Sequence, residues 1–219
     1  MYRIDLHVHT SRYSPCAETL DPGRLQFIMV QEDLHGVVIT EHDHLWSAEE
    51  ISELNFKHNR RRIYRGVEIS SSNGHFLVIG LDHMDGIDHG IGIKHLAEIV
   101  QNAGAAVIWA HPYLNYCNIP DPLSVELMHN EIHAIEVVSG NTDSDETNSA
   151  FEYARRTGCS AVGGSDAHIL EQVGCAFTVF SELPEDEKAL AAEIRAGRCR
   201  AMSRKDDNIH SGLCYAIGY

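Results

Sequence analysis

Short apolar runs of strand length recur along the chain, separated by stretches with helical spacing, and most of them end in acidic residues or histidine. This rhythm constrains the fold most, because alternating strands and helices build a mainly parallel sheet with helices outside. The first run, MYRIDLHVHT, alternates Ile4, Leu6 and Val8 with Asp5, His7 and His9, the two-residue period of a strand. His7 and His9 therefore face one way, and imidazole is the commonest metal ligand among side chains. Taken alone, such a face serves equally well as a solvated sheet edge.

The strand–helix alternation repeats about seven times. Asp21-Pro22 reads as an N-cap with proline at the first helical position, opening a helix to about residue 34. Val37-Val38-Ile39-Thr40 is a buried strand that runs into Glu41-His42-Asp43-His44. Ser47 and Glu50 form a capping box for the next helix. Further strands are predicted near residues 63–69, 75–80, 105–110, 133–138, 161–163, 176–180 and 199–202. Helices are predicted near 94–103, 123–130, 145–157 and 185–196. No linker or internal repeat interrupts them, so one domain over residues 1–219 is expected.

In such folds, polar residues that follow the strands collect at the carboxyl end of the sheet, where ligands bind. His7, His9, His42, Glu68, His111, Asp166 and His168 all stand in or just past strand ends. His75 opens its strand, so strict parallel geometry sends it to the opposite floor. Only about five residues separate its strand from the previous one, which permits a hairpin but not a parallel crossover. An antiparallel pair puts His75 beside Glu68. This many imidazole and carboxylate donors exceed the needs of one ion. A shared carboxylate such as Glu68 or Asp166 can bridge two divalent cations, and mixed nitrogen and oxygen donors suit zinc, manganese or iron(II) alike.

Composition narrows the partners. Lys and Arg number 17 against 32 Asp and Glu, a net charge of −15, which disfavours extended nucleic acid as the main partner. Fifteen histidines are spread through the chain, so no purification tag accounts for them. No run approaches the ~18 apolar residues of a membrane span. The first strand leaves no room for a signal peptide, so a cytoplasmic location is expected. The six cysteines form no CxxC pair, and free thiols are expected.

Six motifs in order carry a family resemblance: His-x-His, Thr-Glu-His-Asp, Gly-Val-Glu, a strand-opening histidine, Ala-His-Pro and Gly-Ser-Asp-Ala-His. The chain resembles the polymerase and histidinol phosphatase (PHP) domain over almost its whole length. The resemblance implies an α/β fold, a distorted (β/α)7 TIM-like barrel, with a trinuclear metal site at the C-terminal mouth of the strands. By the same resemblance one ion takes His7, His9, Glu68 and Asp166, a second His42 and His168, and a third Glu68, His75 and His111. One departure stands out. The family carries a further Asp or His shortly after His-x-His, whereas this chain reads Ser11-Arg12-Tyr13-Ser14-Pro15-Cys16. The second site is then completed by Cys16, Glu18 or water, and incomplete occupancy is expected there.

The resemblance implies a metal-dependent phosphoesterase acting on a small phosphorylated substrate with two or three divalent ions. A metal-bridging hydroxide attacks phosphorus, and Asp166 or His168 hands a proton to the leaving alkoxide. Arg12 is the candidate fork for the phosphoryl group. The rivals are a nuclease acting on short single strands, a non-catalytic metal-binding module and, more distantly, amide hydrolysis. Nothing in the sequence marks a pocket for the organic part of the substrate or an oligomeric state. Asp5 is read as orienting a ligand imidazole or capping backbone, and Glu41, Asp43 and His44 as ligands or turn residues. Glu136 and Asn141 are read as substrate-binding or ligand-supporting residues. The basic cluster Lys57, Arg60, Arg61, Arg62 and Arg65 falls on the floor of the barrel.

Overall fold

The computed structural model describes residues 1–55, 61–113 and 128–204. The predicted helix near 123–130 lies almost wholly outside them, as do Lys57 and Arg60. Nine strands form one sheet: β1 (Tyr2–Val8), β2 (Gly36–His42), β3 (Arg62–Ser71), β4 (Gly74–Ile79), β5 (Ala106–Trp109), β6 (Ala134–Ser139), β7 (Ser160–Gly164), β8 (Ala176–Phe180) and β9 (Cys199–Ser203). Their order is β7-β6-β5-β4-β3-β2-β1-β8-β9. Seven strands run one way, and β4 and β8 oppose them. The expected distorted barrel is therefore present, with the two reversed strands added to the seven.

The sheet is drawn closed at Thr178, on the strand next to its β9 end. The Thr178 hydroxyl accepts from Gly163 N at 2.9 Å and donates to Gly163 O at 2.8 Å, tying β8 to β7. A Cβ on Gly163 would come within 2.7 Å of the Phe177 carbonyl, so this seam closes only over glycine. A bridge between Val8 and Ala167 draws the end of β1 toward the residues after β7.

The predicted hairpin is present. β3 and β4 pair antiparallel with Ser70 opposite His75, which brings a strand-opening histidine to the end of the barrel where β1, β2 and β3 finish.

The helices form where their caps predict. Asp21 caps a single 3-10 turn, Pro22–Arg24, and α1 (Leu25–Gln31) follows it rather than starting at Pro22. The Ser47–Glu50 box opens α2 (Ala48–Asn55), with Glu50 N donating to Ser47 Oγ at 3.2 Å and Ser47 N to Glu50 Oε2 at 3.0 Å. Next come α3 (Ile93–Ala103), α4 (Ser144–Thr157) and α5 (Glu187–Arg195). α4 starts at an Asp143–Glu146 capping box and stops at Gly158, whose φ of 76° is the left-handed conformation glycine tolerates best.

Apolar residues of α1 and α2 bury against β1–β3, while α3 and α4 cover the β3–β6 side. α5 packs at the floor, where a Cβ on Gly80 would lie 3.1 Å from Ala191. None of the helices described is long and apolar enough to cross a membrane.

Candidate metal centre

The strand ends carry their polar side chains into one buried cluster. His7 and His9 come from the end of β1, His42 from β2, Glu68 from β3 and His75 from β4. His111 follows β5, and Asp166 and His168 follow β7. Glu68 is the hub. Its Oε1 lies 3.0 Å from His75 Nδ1 and 3.0 Å from His111 Nε2. Its Oε2 lies 2.9 Å from His42 Nδ1, 3.2 Å from His9 Nε2 and 3.5 Å from His7 Nε2. Asp166 Oδ1 stands 3.4 Å from both His7 Nε2 and His9 Nε2. The two Nε2 atoms are 3.1 Å apart. All eight predicted donors are thus brought together.

Arg12 is not drawn into the cluster. It is exposed, with its guanidinium 5.5 Å from the centre of the Tyr13 ring. Cys16 and Glu18 are exposed too, on the loop where the further ligand was sought.

The donors fit divalent cations on three grounds. Buried charge normally satisfies every hydrogen-bonding atom, yet Glu68 Oε2 is buried with no properly aligned hydrogen bond amid three imidazoles. Ligand atoms group within 4.8 Å as three overlapping triads, His7/His9/Asp166, His9/His42/His168 and His7/Glu68/His111. The mixture of nitrogen and carboxylate oxygen is also that of transition-metal and zinc sites.

The electrostatics agree. Burial alone pushes the Glu68 pKa up, but the charge of His7 and the close imidazoles of His111 and His42 outweigh it and hold the carboxyl well below its usual range. Asp166 is likewise lowered against its burial by His7 and His9. Burial pushes His7 down, but the carboxylates of Glu136, Asp166 and Glu68 win and raise it well above its usual value. His168 is lowered, by burial and by nearby His9.

A supporting layer fixes these donors. Glu136 on β6 meets His7 Nδ1 at 3.2 Å and accepts from the His111 backbone amide at 2.8 Å, so one carboxylate aims the His7 imidazole and anchors the main chain that carries His111. Gly164 makes room for it, since a Cβ there would lie 2.6 Å from Glu136 Oε1 and 2.6 Å from His7 Cβ. Asn141 donates to the Asp166 carboxylate at 2.9 Å and to its carbonyl at 3.1 Å. His168 Nδ1 lies 2.9 Å from that same carbonyl, which leaves Nε2 free.

Asp5 proves to be a backbone cap. Its oxygens accept from Ser165 N at 2.8 Å, Gly174 N at 2.8 Å and His7 N at 3.2 Å, and burial pushes its pKa up to about 6 despite these bonds.

Sequence reasoning missed how Glu41 works. It is fully buried and accepts from Thr10 N at 3.1 Å, Trp46 Nε1 at 3.1 Å and the hydroxyls of Thr10 and Ser14. Ser14 Oγ in turn lies 3.3 Å from His9 Nδ1. The only sequence signal was its place beside His42.

Backbone strain gathers here as well. His111 (φ 24°), Asp166 (φ 51°) and Asp43 (φ 50°) all occupy the left-handed region, which costs ~1–3 kcal/mol for a residue with a side chain and persists where surroundings hold it. Asp43 shows how it is held. Its amide donates to Glu68 O at 2.8 Å and its carboxylate accepts from Ser70 N at 2.8 Å, bolting the end of β2 to the strand that bears the hub.

The chain matches the PHP-associated family over residues 146–199. An uncharacterized protein of Methanocaldococcus jannaschii is 31% identical over 188 residues, 83% of this chain and 71% of that protein. Among solved structures, a two-domain protein from Bacteroides vulgatus, described as containing a predicted PHP-like metal-dependent phosphoesterase, is similar with a TM-score of 0.67 and 18% identity. That likeness covers 92% of this chain and 64% of the other. The lesion-specific endonuclease PfuEndoQ from Pyrococcus furiosus is similar at a TM-score of 0.63 and 15% identity, over 92% of this chain and 57% of its own. With the motif order, the barrel and the histidine–carboxylate mouth in agreement, the chain belongs to the polymerase and histidinol phosphatase (PHP) family.

Proposed function

We propose that the protein is a metal-dependent hydrolase of small phosphoesters, a phosphomonoesterase of the histidinol-phosphatase type. The observation that carries this reading is the orphaned Glu68 Oε2 inside a ring of imidazoles. The first ion would be held by His7, His9, Glu68 and Asp166, and the third by Glu68, His75 and His111. The second would be held by His42 and His168, with His9 close to both. Zinc, manganese and iron(II) all suit these donors. Bound divalent ions supply a nucleophile from water at neutral pH and neutralise the phosphoryl oxygens as charge develops.

The protein's own residues do the rest. Glu136 and Asn141 hold His7, His111 and Asp166 in place, so the donors need little rearrangement. Asp166 is held ionised, which suits it to ligation. Of the two candidate acids only His168, partly exposed at the rim, could pass a proton to the leaving alkoxide, and only while the weakly held second ion is off its Nε2. Arg12 reaches the phosphoryl group only if the loop at residues 11–16 turns its guanidinium away from Tyr13.

The second ion binds more weakly than the others, because the loop offers it no carboxylate and Ser14 is committed to Glu41. Elemental analysis is expected to give fewer than three tightly held ions per chain. The direct test of the whole reading is His9→Ala, which is expected to abolish turnover of a generic aryl phosphate with Mn²⁺; unchanged turnover would refute the site. The likeness to PfuEndoQ favours one second reading, cleavage of short single-stranded nucleic acid. Oligonucleotides cleaved faster than monoesters would favour it. A single barrel domain and a cytoplasmic location complete the proposal.

A further inference from the structure

Glu41 and Ser14 are fully buried beside the metal cluster, and neither is one of its eight donors. Their hydrogen bonds leave no choice of proton. Glu41 Oε1 accepts from the Thr10 hydroxyl and from Trp46 Nε1 at 3.1 Å, and Oε2 accepts from Thr10 N at 3.1 Å and from the Ser14 hydroxyl. Each oxygen thus faces one hydroxyl and one N–H, which can only donate. An ionised carboxylate satisfies all four and returns a proton to none of them.

The constraint passes on to Ser14. A hydroxyl has one proton and two lone pairs, and this proton goes to Glu41. What remains at Oγ accepts. Its other neighbours are the amide of His42 at 3.4 Å and Nδ1 of His9 at 3.3 Å. The amide donates to one lone pair, and a proton on His9 Nδ1 fills the other. A bare Nδ1 would instead set two lone pairs face to face. Since the partner of one ring nitrogen decides the role of the other, His9 Nε2 is left to a cation. That is the atom that stands among Glu68, Asp166 and His7.

His7 reaches the same state by a shorter route, because Glu136 meets its Nδ1 directly. Resting on the reading of His9 as a ligand, we propose that Ser14, oriented by Glu41, is a positioning residue that holds the Nδ1 proton of His9 and commits Nε2 to the first ion. The loop at residues 11–16 thereby serves the centre although it offers the ions no carboxylate. Backbone bonds keep Ser14 in place: its amide donates to Thr10 O at 3.1 Å and its carbonyl accepts from Ala17 N at 2.9 Å.

Ring-nitrogen NMR of the Zn²⁺-loaded protein tests this. The wild type is expected to show a proton on His9 Nδ1 that exchanges slowly with water. Ser14→Ala is expected to lose that protection and to weaken Zn²⁺ binding about tenfold in chelator competition, the lower end of the effect of removing a ligand's support. Ser14→Thr keeps the hydroxyl and is expected to restore both. Trp46→Phe takes a different donor from Glu41 and leaves Ser14 in place. It is expected to lower the Tm and move neither readout, which separates the proton lock from general bracing of the loop. A wild-type His9 with no proton on Nδ1 would overturn the proposal whatever the variants do. So would unchanged exchange and affinity in Ser14→Ala, or Trp46→Phe matching Ser14→Ala. In each of those cases Zn²⁺ still binds and the metal centre stands. Failure of the wild type to bind Zn²⁺ would instead overturn the metal-centre reading, and the lock with it.

Discussion

The two ends of this barrel treat charge in opposite ways. At the floor every described arginine of the basic cluster finds a partner within the fold. Arg61 Nε donates to the carbonyls of Met29 and Leu34 at the end of α1, at 3.2 and 2.8 Å. Arg62 donates to the Glu185 carbonyl, and Arg65 pairs with Glu187. At the mouth, five histidines crowd one carboxylate, and an oxygen of that carboxylate is still left without an aligned bond. Floor charge is used to close the structure. Mouth charge is arranged for something the chain does not itself supply, and His111, Asp166 and Asp43, three of the five described residues with a side chain in the left-handed region, stand at that end.

The contrast can be broken most directly at the hub. Glu68→Gln is expected to lower kcat/KM for phosphoesters on the order of 10³-fold, because a neutral amide removes the shared anion from the ions that stabilise the transition state. Near-normal turnover with full metal content would refute the hub. One layer out, Glu136→Gln is expected to weaken metal affinity by about 10–100-fold. Chelator competition measures this, and circular dichroism should show the fold unchanged.

The mouth should also respond to pH in a way the floor does not. His7 has its pKa raised by surrounding carboxylates, so in metal-free protein their mutual stabilisation is complete below the ordinary value of 6.5. It is lost as pH climbs through the raised value. The same proton competes with a cation for Nε2. Metal affinity should therefore rise with pH above 6.5, by up to about tenfold per unit for one proton released. Titration calorimetry in buffers of different ionisation enthalpy counts that proton, and a pH-independent affinity would contradict the arrangement.

The smallest effect sharpens the contrast from the other side. Arg61→Ala strips two carbonyl partners at the end of α1, worth about 1.5–3 kcal/mol for a charged donor. It should lower the Tm while leaving kcat/KM within about twofold.

Much of the mouth was legible in the sequence because the chemistry repeats a simple positional rule. His7, His42, Glu68 and His111 each stand at the end of an apolar run, and a parallel sheet brings such ends together whatever the loops between them do. The antiparallel placement of His75 was legible too, from the shortness of the connection before it. The roles of Asp5, Glu41 and Glu136 were not. Each was read with two open meanings, because a buried carboxylate on a strand looks the same in one dimension whether it caps backbone, braces a loop or aims an imidazole.

The link from Glu41 through Ser14 to His9 was invisible for a related reason. Glu41 lies on β2 and Ser14 on the loop after β1, and their contact depends on how β1 and β2 set those segments side by side.

Local periodicity and connection length by themselves determined which donors this chain sends to one end of a barrel, since both act within a few residues. The closed seam at Gly163, the unpartnered oxygen of Glu68 and the contact of Glu41 with Ser14 were decided only in the tertiary structure. Distances between side chains remote in sequence follow from strand order and twist, which no single segment specifies.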